Sequence, residues 1–549
     1  MKKTISKYSE IIWIAFFSVL QMMGYYLQNY GSVFPLNKHY AIKQFLLAAG
    51  LTVLLISLLK LTQRIKFNLK CKRLHEKIIW KHNVSGKVIV LISWTLLVLS
   101  WLPVLLAYYP GVFAYDASNQ VLQVINNSYS THHPLVHTLL LGKLFLLGHV
   151  LGDNNLGVLL YSILQMMTLA LGCTYLLVYV YKSGISKMGY IVYLVWYMFF
   201  PVHSILAIST TKDVYFAVCC MFNLVSALFA LNGQLDKKWN FIIWQILVIS
   251  TCGMVAFRNN AIYAIVIACV PIYFLLKQKR RFILSGMILG AVMAIIISNI
   301  LAFSLKAEKG SVAEMMSVPL QQMARVGWIH QGEMDRSLRE ELYYFIPEDI
   351  MESYSNSISD GIKDNVDVNK VQHNKMRFIK TYIKLGIHYP REYIDAFAAL
   401  TQGYWYLGDK SHSQIYGVGN EYHLGYLMTN CKDMPTPFEV TPDTRFQGLE
   451  EVLEGLFSDN EYQRVPLLWI VFSPAFYGWL LLICIYRMIK YRKYTMLSAC
   501  CPILFYQMSL LLGPTCLIRY VYALVVCIPV ILYGTFGEKI KNERMRHNT

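Results

Sequence analysis

The sequence predicts an all-α polytopic membrane protein of about twelve transmembrane helices, with an outer interfacial helix and a large, mostly helical extracytoplasmic domain. Three observations carry this. Of 549 residues, 56% are hydrophobic and only 15% are charged, too apolar a balance for a water-soluble chain of this length. Apolar runs of 17 residues or more recur along the chain, each long enough to cross about 30 Å of hydrocarbon. The charge is also sorted: residues 305–464 hold 24 of the 32 acidic residues but only 16 of the 50 basic ones. Most of the other basic residues sit in short tracts beside the apolar runs, such as Lys66 to Lys81, Lys277 to Arg281, Arg487 to Lys493 and Lys539 to Arg546. That pattern places those tracts and both termini in the cytoplasm and the acidic block outside. It also accounts for the net charge of +18 without nucleic acid.

In chain order, spans are expected near 11–28, 43–61, 88–107, 157–181, 189–208, 213–231, 239–257, 260–276, 282–304, 466–486, 495–512 and 517–535. The basic leader MKKTISKYSE precedes an apolar run with no small-residue cleavage site, so the first span reads as an uncleaved anchor. Residues 1–87 then form two N-terminal spans and a basic cytoplasmic loop. Residues 88–304 form the transmembrane core, with a first external loop at 108–156. Residues 305–464 form the extracytoplasmic domain, and 465–549 three spans and a basic tail. The stretch LVHTLLLGKLFLLGHV at 135–150 is apolar, but it is short and interrupted by Lys143 and His149. If it crossed, every later basic tract would invert, so it reads as a helix lying in the outer interface. Within 305–464, DRSLREELYYFI and NKVQHNKMRFIKTYIKL have helical amphipathic spacing. The cysteines, scattered mostly through apolar spans, read as small core residues; Cys431 alone lies in the acidic block.

Nine charged residues fit neither the cytoplasmic tracts nor the external domain: Lys38, Lys43, Lys143, Lys212, Arg258, Arg519, Asp116, Asp153 and Asp213. All nine fall towards the outer leaflet in this topology. Ionisable groups near membrane depth cost a few kcal/mol each, so they are usually paired, solvated or functional. Asp116 can act as a general base in a partly dry loop, or it can cap the helix begun by ASNQVLQVI. His132 and His133, before Pro134, can bind phosphate or sugar oxygens, or simply be solvated at a turn. Lys212 and Asp213 open a span; being adjacent on a helix they need not pair with each other, and they can equally mark the membrane boundary. Arg258 with Asn259 interrupts a long apolar run, and its planar fork suits phosphate oxygens while the amide suits hydroxyls. Arg519 with Tyr520 sits at the outer end of the last span, where snorkelling is the plain alternative. Gln321, Gln322 and Arg325 open the external domain; the amides suit sugar recognition or a solvated helix face.

Asp116, the motif His132-His133-Pro134-Leu135 and the turn LGDNNLG at 151–157 together resemble the GT-C superfamily of integral membrane glycosyltransferases. The similarity is to the branch of protein O-mannosyltransferases and lipid A aminoarabinose transferases. Members carry an acidic residue in the first external loop, then an HPPL-like motif opening an interfacial helix, then a turn into the next span. Here His133 stands where the first proline of the usual pair would be. The resemblance covers residues 88–220 well and the rest loosely, and the two spans before residue 88 look like an N-terminal addition. It implies transfer of a sugar from a polyprenyl-phosphate-linked donor to an acceptor hydroxyl at the outer face of the plasma membrane, with inversion. Asp116 would be the base. Lys212, Arg258 and Arg519 would face the donor phosphate, and His133 the sugar or acceptor. The acceptor would be an envelope glycan, lipid or protein. The resemblance leaves a divalent metal open, with His132, His133 and Asp213 as residues that could hold it, though no spacing demands one.

The main alternative is a transporter or flippase of lipid-linked glycans. Transporters of that kind place polar groups near the midplane and often carry broken helices in repeated halves. The charges here collect towards one face, and no halved symmetry is evident. A scaffold presenting the acidic domain would not need Arg258 or Arg519 within apolar runs.

Overall fold

A computed structural model describes residues 2–72, 86–113, 116–233, 236–409, 434–457, 465 and 468–537, with only the backbone described for 2–8 and 59–72. Cys431 and the basic tail from Lys539 to Arg546 lie outside the described residues, as does the second half of the tract from Lys66 to Lys81.

The apolar runs form helices throughout. They are α1 (Lys2–Tyr30), α2 (Lys38–Lys72), α3 (Gly86–Ala107), α4 (Ala117–Ile125), α5 (Leu135–Val150), α6 (Asn154–Lys182), α7 (Lys187–Phe199), α8 (Pro201–Ile208), α9 (Lys212–Asn232), α10 (Lys237–Phe257), α11 (Ala261–Leu275) and α12 (Arg280–Ser304). The segment 305–464 supplies α13 (Ser317–His330), α14 (Arg336–Phe345), α15 (Glu348–Met351), α16 (Asp360–Lys363), α17 (Val368–His373), α18 (Lys375–His388), α19 (Pro390–Thr401) and α20 (Gln447–Phe457). The chain returns through α21 (Leu468–Phe472), α22 (Pro474–Lys490), α23 (Tyr494–Ser509) and α24 (Ile518–Phe536). Among the described residues β-structure is confined to isolated bridges.

Among the described residues nine helices are long and apolar enough to cross a membrane, α23 counted with the tighter turn that carries it on to Leu512, or ten if the bent pair α7–α8 is one span. The protein is therefore a multi-pass membrane protein. Three expected spans are not single straight helices of full length. The run at 189–208 bends by 48° where Pro201 starts α8. The run at 466–486 breaks at Ser473, with Pro474 starting the 17-residue α22. The run at 260–276 gives α11, only 15 residues long. Proline explains the first two: its missing N–H suits a first turn but not a helix interior.

The main core runs through α3, α6 to α12 and α22 to α24. α9 and α24 lie at its centre, and α2 stands at the edge with its apolar side chains largely uncovered. The domain within 305–464 has its own core, including Leu320, Leu342, Phe345, Phe378 and Leu385. At the end of the bundle away from that domain, lysines close helix termini: Lys279 donates to the Gly233 carbonyl at 2.9 Å and Lys493 to the Thr535 carbonyl at 2.7 Å. Both place a cation at the negative end of a helix dipole.

The opposite end is built around the loop after α3. The Val112 N–H donates to the Ile208 carbonyl at 3.1 Å, and the Thr210 N–H donates back to the Val112 carbonyl at 3.0 Å. This short bridge fastens the stretch before Asp116 to the start of α9. Gly111, with φ +134°, permits the turn, and a Cβ there would collide with Ser162 Oγ. α5 lies against α6 where Gly148 meets Gly157, close enough that a Cβ on either would strike the other helix's backbone. In LGDNNLG, Asp153 caps α6 while Asn154 and Asn155 hold carbonyls of the returning segment: Pro437 at 2.9 Å, Glu439 at 2.8 Å and Thr441 at 2.7 Å.

Gly31 also has a positive φ, +74°, but a Cβ there meets nothing within 4 Å. Gly111→Ala is expected to lower the thermal unfolding temperature in detergent clearly more than Gly31→Ala, since it adds a steric clash to a backbone strain of about 1–3 kcal/mol. Equal shifts would contradict the packing described for the loop.

Candidate functional site

Five of the nine out-of-place charges converge. Asp116 sits at the N-cap position of α4, yet its side chain makes no cap hydrogen bond. Its carboxylate instead receives the Lys212 ammonium, Nζ to Oδ2, at 3.0 Å. Lys212 also donates to His133 Nδ1 at 2.9 Å, which leaves the His133 proton on Nε2. Asp213, one residue on, points elsewhere and pairs with Arg258 at the end of α10. Arg519, in the first turn of α24, lies between the carboxylates, 3.7 Å from Asp116 Oδ2 and 3.8 Å from Asp213 Oδ2. The Tyr520 ring supports both guanidiniums, with Arg258 Cζ 4.6 Å and Arg519 Cζ 5.0 Å from its centroid.

The two carboxylates have different positions. Asp213 is 1% exposed and Asp116 is 21% exposed. The buried one anchors the arginines; the other is the carboxylate accessible from outside the cluster. Burial alone would raise the pKa of Asp116. The Lys212 ammonium and the Arg519 guanidinium outweigh it and hold the carboxyl well below its usual range. His133 is pushed down to about 2 by burial and then by Lys212 beside it. The resting site therefore combines an ionised Asp116 with a neutral His133.

A buried polar chain lies beside this cluster. His137 joins Gln120 Oε1 at 3.1 Å and the Tyr161 hydroxyl at 2.7 Å, and Tyr161 donates to Gln165 Oε1 at 2.8 Å. The Gln165 amide donates to the carbonyls of Leu206, at 2.9 Å, and Ser209. Gln165 thus satisfies carbonyls left open where α8 stops, and so sets where α9 begins. The sequence reading missed these residues. Their signal is a lone amide inside an apolar run at Gln165, and a third histidine four residues after His133.

The remaining expected site residues fall at the margin or away from it. His132 is half exposed, 3.9 Å from Glu314, and its ring meets that of His133 edge to face. Asn259 is exposed and donates to the Thr131 carbonyl at 3.3 Å, bracing the histidine turn. Gln321, Gln322 and Arg325 do not join the ion cluster; they serve the packing of the 305–464 domain. Gln321 donates to the Ser355 carbonyl, and Gln322 to that of Tyr393 at 3.0 Å. Arg325 donates to the Gly31 carbonyl at 2.6 Å and lies 3.7 Å from Asp395, tying the domain to the α1–α2 turn. Lys38, Lys43, Lys143 and Asp153 are exposed. The suggested metal ligands are not assembled as a set: Asp213 is paired with Arg258 and His133 Nδ1 with Lys212, and among the described residues no group of three potential ligands is placed to hold a metal.

The buried neutral histidine has a consequence for stability. In an unfolded chain a histidine protonates near pH 6.5; His133 in the fold resists until about 2. The unfolded state binds the extra proton in between, so stability falls as pH drops below about 6.5. The unfolding temperature is expected to fall from about pH 7 to about pH 5, and His133→Asn to remove part of that fall. An identical pH slope in the variant would contradict the neutral, Lys212-bonded state.

No curated protein and no solved structure matches the chain. A family does match over residues 125–548, a range that takes in His133, Lys212, Asp213, Arg258 and Arg519 and begins after Asp116. The chain belongs to that family, the family of unknown function DUF6020.

Proposed function

We propose that the chain is a membrane glycosyltransferase that moves a sugar from a polyprenyl-phosphate-linked donor to an acceptor hydroxyl at the outer face of the membrane. The observation that carries this is the convergence of Lys212 and Arg519 on Asp116, the most accessible carboxylate of a buried ionic cluster. The GT-C resemblance of residues 88–220 points to the same chemistry. In this reading the chain crosses the membrane twelve times, with α7–α8, α11 and α22 as the irregular spans. The lysine-closed helix ends face the cytoplasm, and the site and the external domain lie outside.

The acceptor oxygen attacks the anomeric carbon as the bond from that carbon to the phosphate oxygen breaks. The electron pair leaves with the polyprenyl phosphate, and the hydroxyl proton passes to Asp116. Attack from the face opposite the phosphate inverts the anomeric centre. Lys212, Arg258 and Arg519 meet the charge that grows on the departing phosphate, where a dry setting strengthens each contact. Tyr520 and Asp213 keep the two guanidiniums aimed. A positioned base of this kind contributes on the order of 10²–10⁴ in rate.

The test is mass spectrometry of envelope glycans and glycolipids from cells with the wild-type chain, without it, and with Asp116→Asn. One glycan modification should be missing without the chain and equally missing with Asp116→Asn at normal membrane levels of the protein. Identical glycan profiles in all three would overturn the proposal.

A further inference from the structure

The cations expected to hold a donor phosphate are the same ones that contact Asp116. Lys212 Nζ and Arg519 both approach a single atom, Asp116 Oδ2, at 3.0 and 3.7 Å. Arg258 is engaged by Asp213, and Arg519 is shared with Asp213 at 3.8 Å. Three cations therefore serve two carboxylates, and His133, the other group facing Lys212, is neutral there. A phosphate that recruits the Lys212 ammonium and the Arg519 guanidinium competes with Asp116 for the same two cations.

We propose, resting on the transferase reading above, that Lys212 and Arg519 act as a donor-operated restraint on Asp116: a polyprenyl phosphate binding to them releases the carboxylate and readies it to accept the acceptor's proton. The resting Asp116 is a weak base, because two cations stabilise its ionised form. With the phosphate in place those cations face the phosphate, and its negative charge lies beside the carboxylate. Both changes raise the proton affinity of Asp116. Donor binding then precedes activation of the acceptor, because until then two cations hold Asp116.

Linkage makes this testable without knowing the sugar or the acceptor. If phosphate binding loosens Asp116, then Asp116 opposes phosphate binding by the same factor. The probe is farnesyl phosphate, with farnesol as its uncharged match, titrated against the full chain in lipid nanodiscs. Asp116→Asn keeps the shape and removes the competing charge. It is expected to bind farnesyl phosphate at least about fivefold more tightly than wild type, the lower end of typical coupling. The gain should shrink when Lys212→Met is added, since one of the contested cations is then gone. Unchanged or weaker binding by Asp116→Asn would overturn the restraint, as would an undiminished gain in the double variant. Asp116→Ser supplies the same comparison if the asparagine variant does not accumulate. A wild-type protein that binds farnesyl phosphate no better than farnesol would instead remove the transferase reading itself.

Discussion

The constraint on which this protein's architecture turns is the cost of holding ionised groups at the poorly hydrated end of a helical bundle. A single charge there costs several kcal/mol, and removing one member of a buried pair leaves the other uncompensated. The chain meets this cost by bringing Asp116, Lys212, Asp213, Arg258 and Arg519 together so that each has an opposite charge within 4 Å. They come from a loop, the first turn of α9, the end of α10 and the first turn of α24. Those four pieces must stay in register or the pairing fails. The tight turn at Gly111, the Val112 bridge and the Gln165 clamp follow from that requirement.

The cluster also divides its work. Asp213 is enclosed and fixes the arginines over the Tyr520 ring; Asp116 is at the open side and its pairs are longer or more exposed. A structural salt bridge would gain nothing from leaving one carboxylate accessible while two cations converge on it. The domain formed by residues 305–464 is fastened to this end by pairing with the loops that carry the cluster. Glu308 bridges to Ser130 beside the histidine turn, and Ile358 bridges to Thr515 just before Arg519.

Much of the fold was legible because a bilayer imposes length and polarity on each span, so the apolar runs and their basic flanks mark the helices directly. The site was legible in part for the same reason: a charge inside an apolar run is rare, and Asp116, Lys212, Asp213, Arg258 and Arg519 stood out by depth alone. Their partners were not. That Lys212 turns to Asp116 while its neighbour Asp213 turns to Arg258 depends on how α9, α10 and α24 pack, which no local pattern encodes. The partners of Gln321, Gln322 and Arg325 were not legible either, because amides and arginines look alike in sequence whether they meet a sugar or a backbone carbonyl. Breaks at Pro201 and Pro474 were concealed by apolar runs that continue across them.

The cluster is thus a closed set of pairs with one accessible carboxylate and cations already largely buried and held in place. The most direct examination of this account is a cryo-electron microscopy map of the full chain in nanodiscs with farnesyl phosphate. The account expects phosphate density within hydrogen-bonding distance of Lys212 and Arg519, with Asp116 separated from both. Phosphate bound elsewhere, with the contact between Lys212 and Asp116 intact, would contradict it.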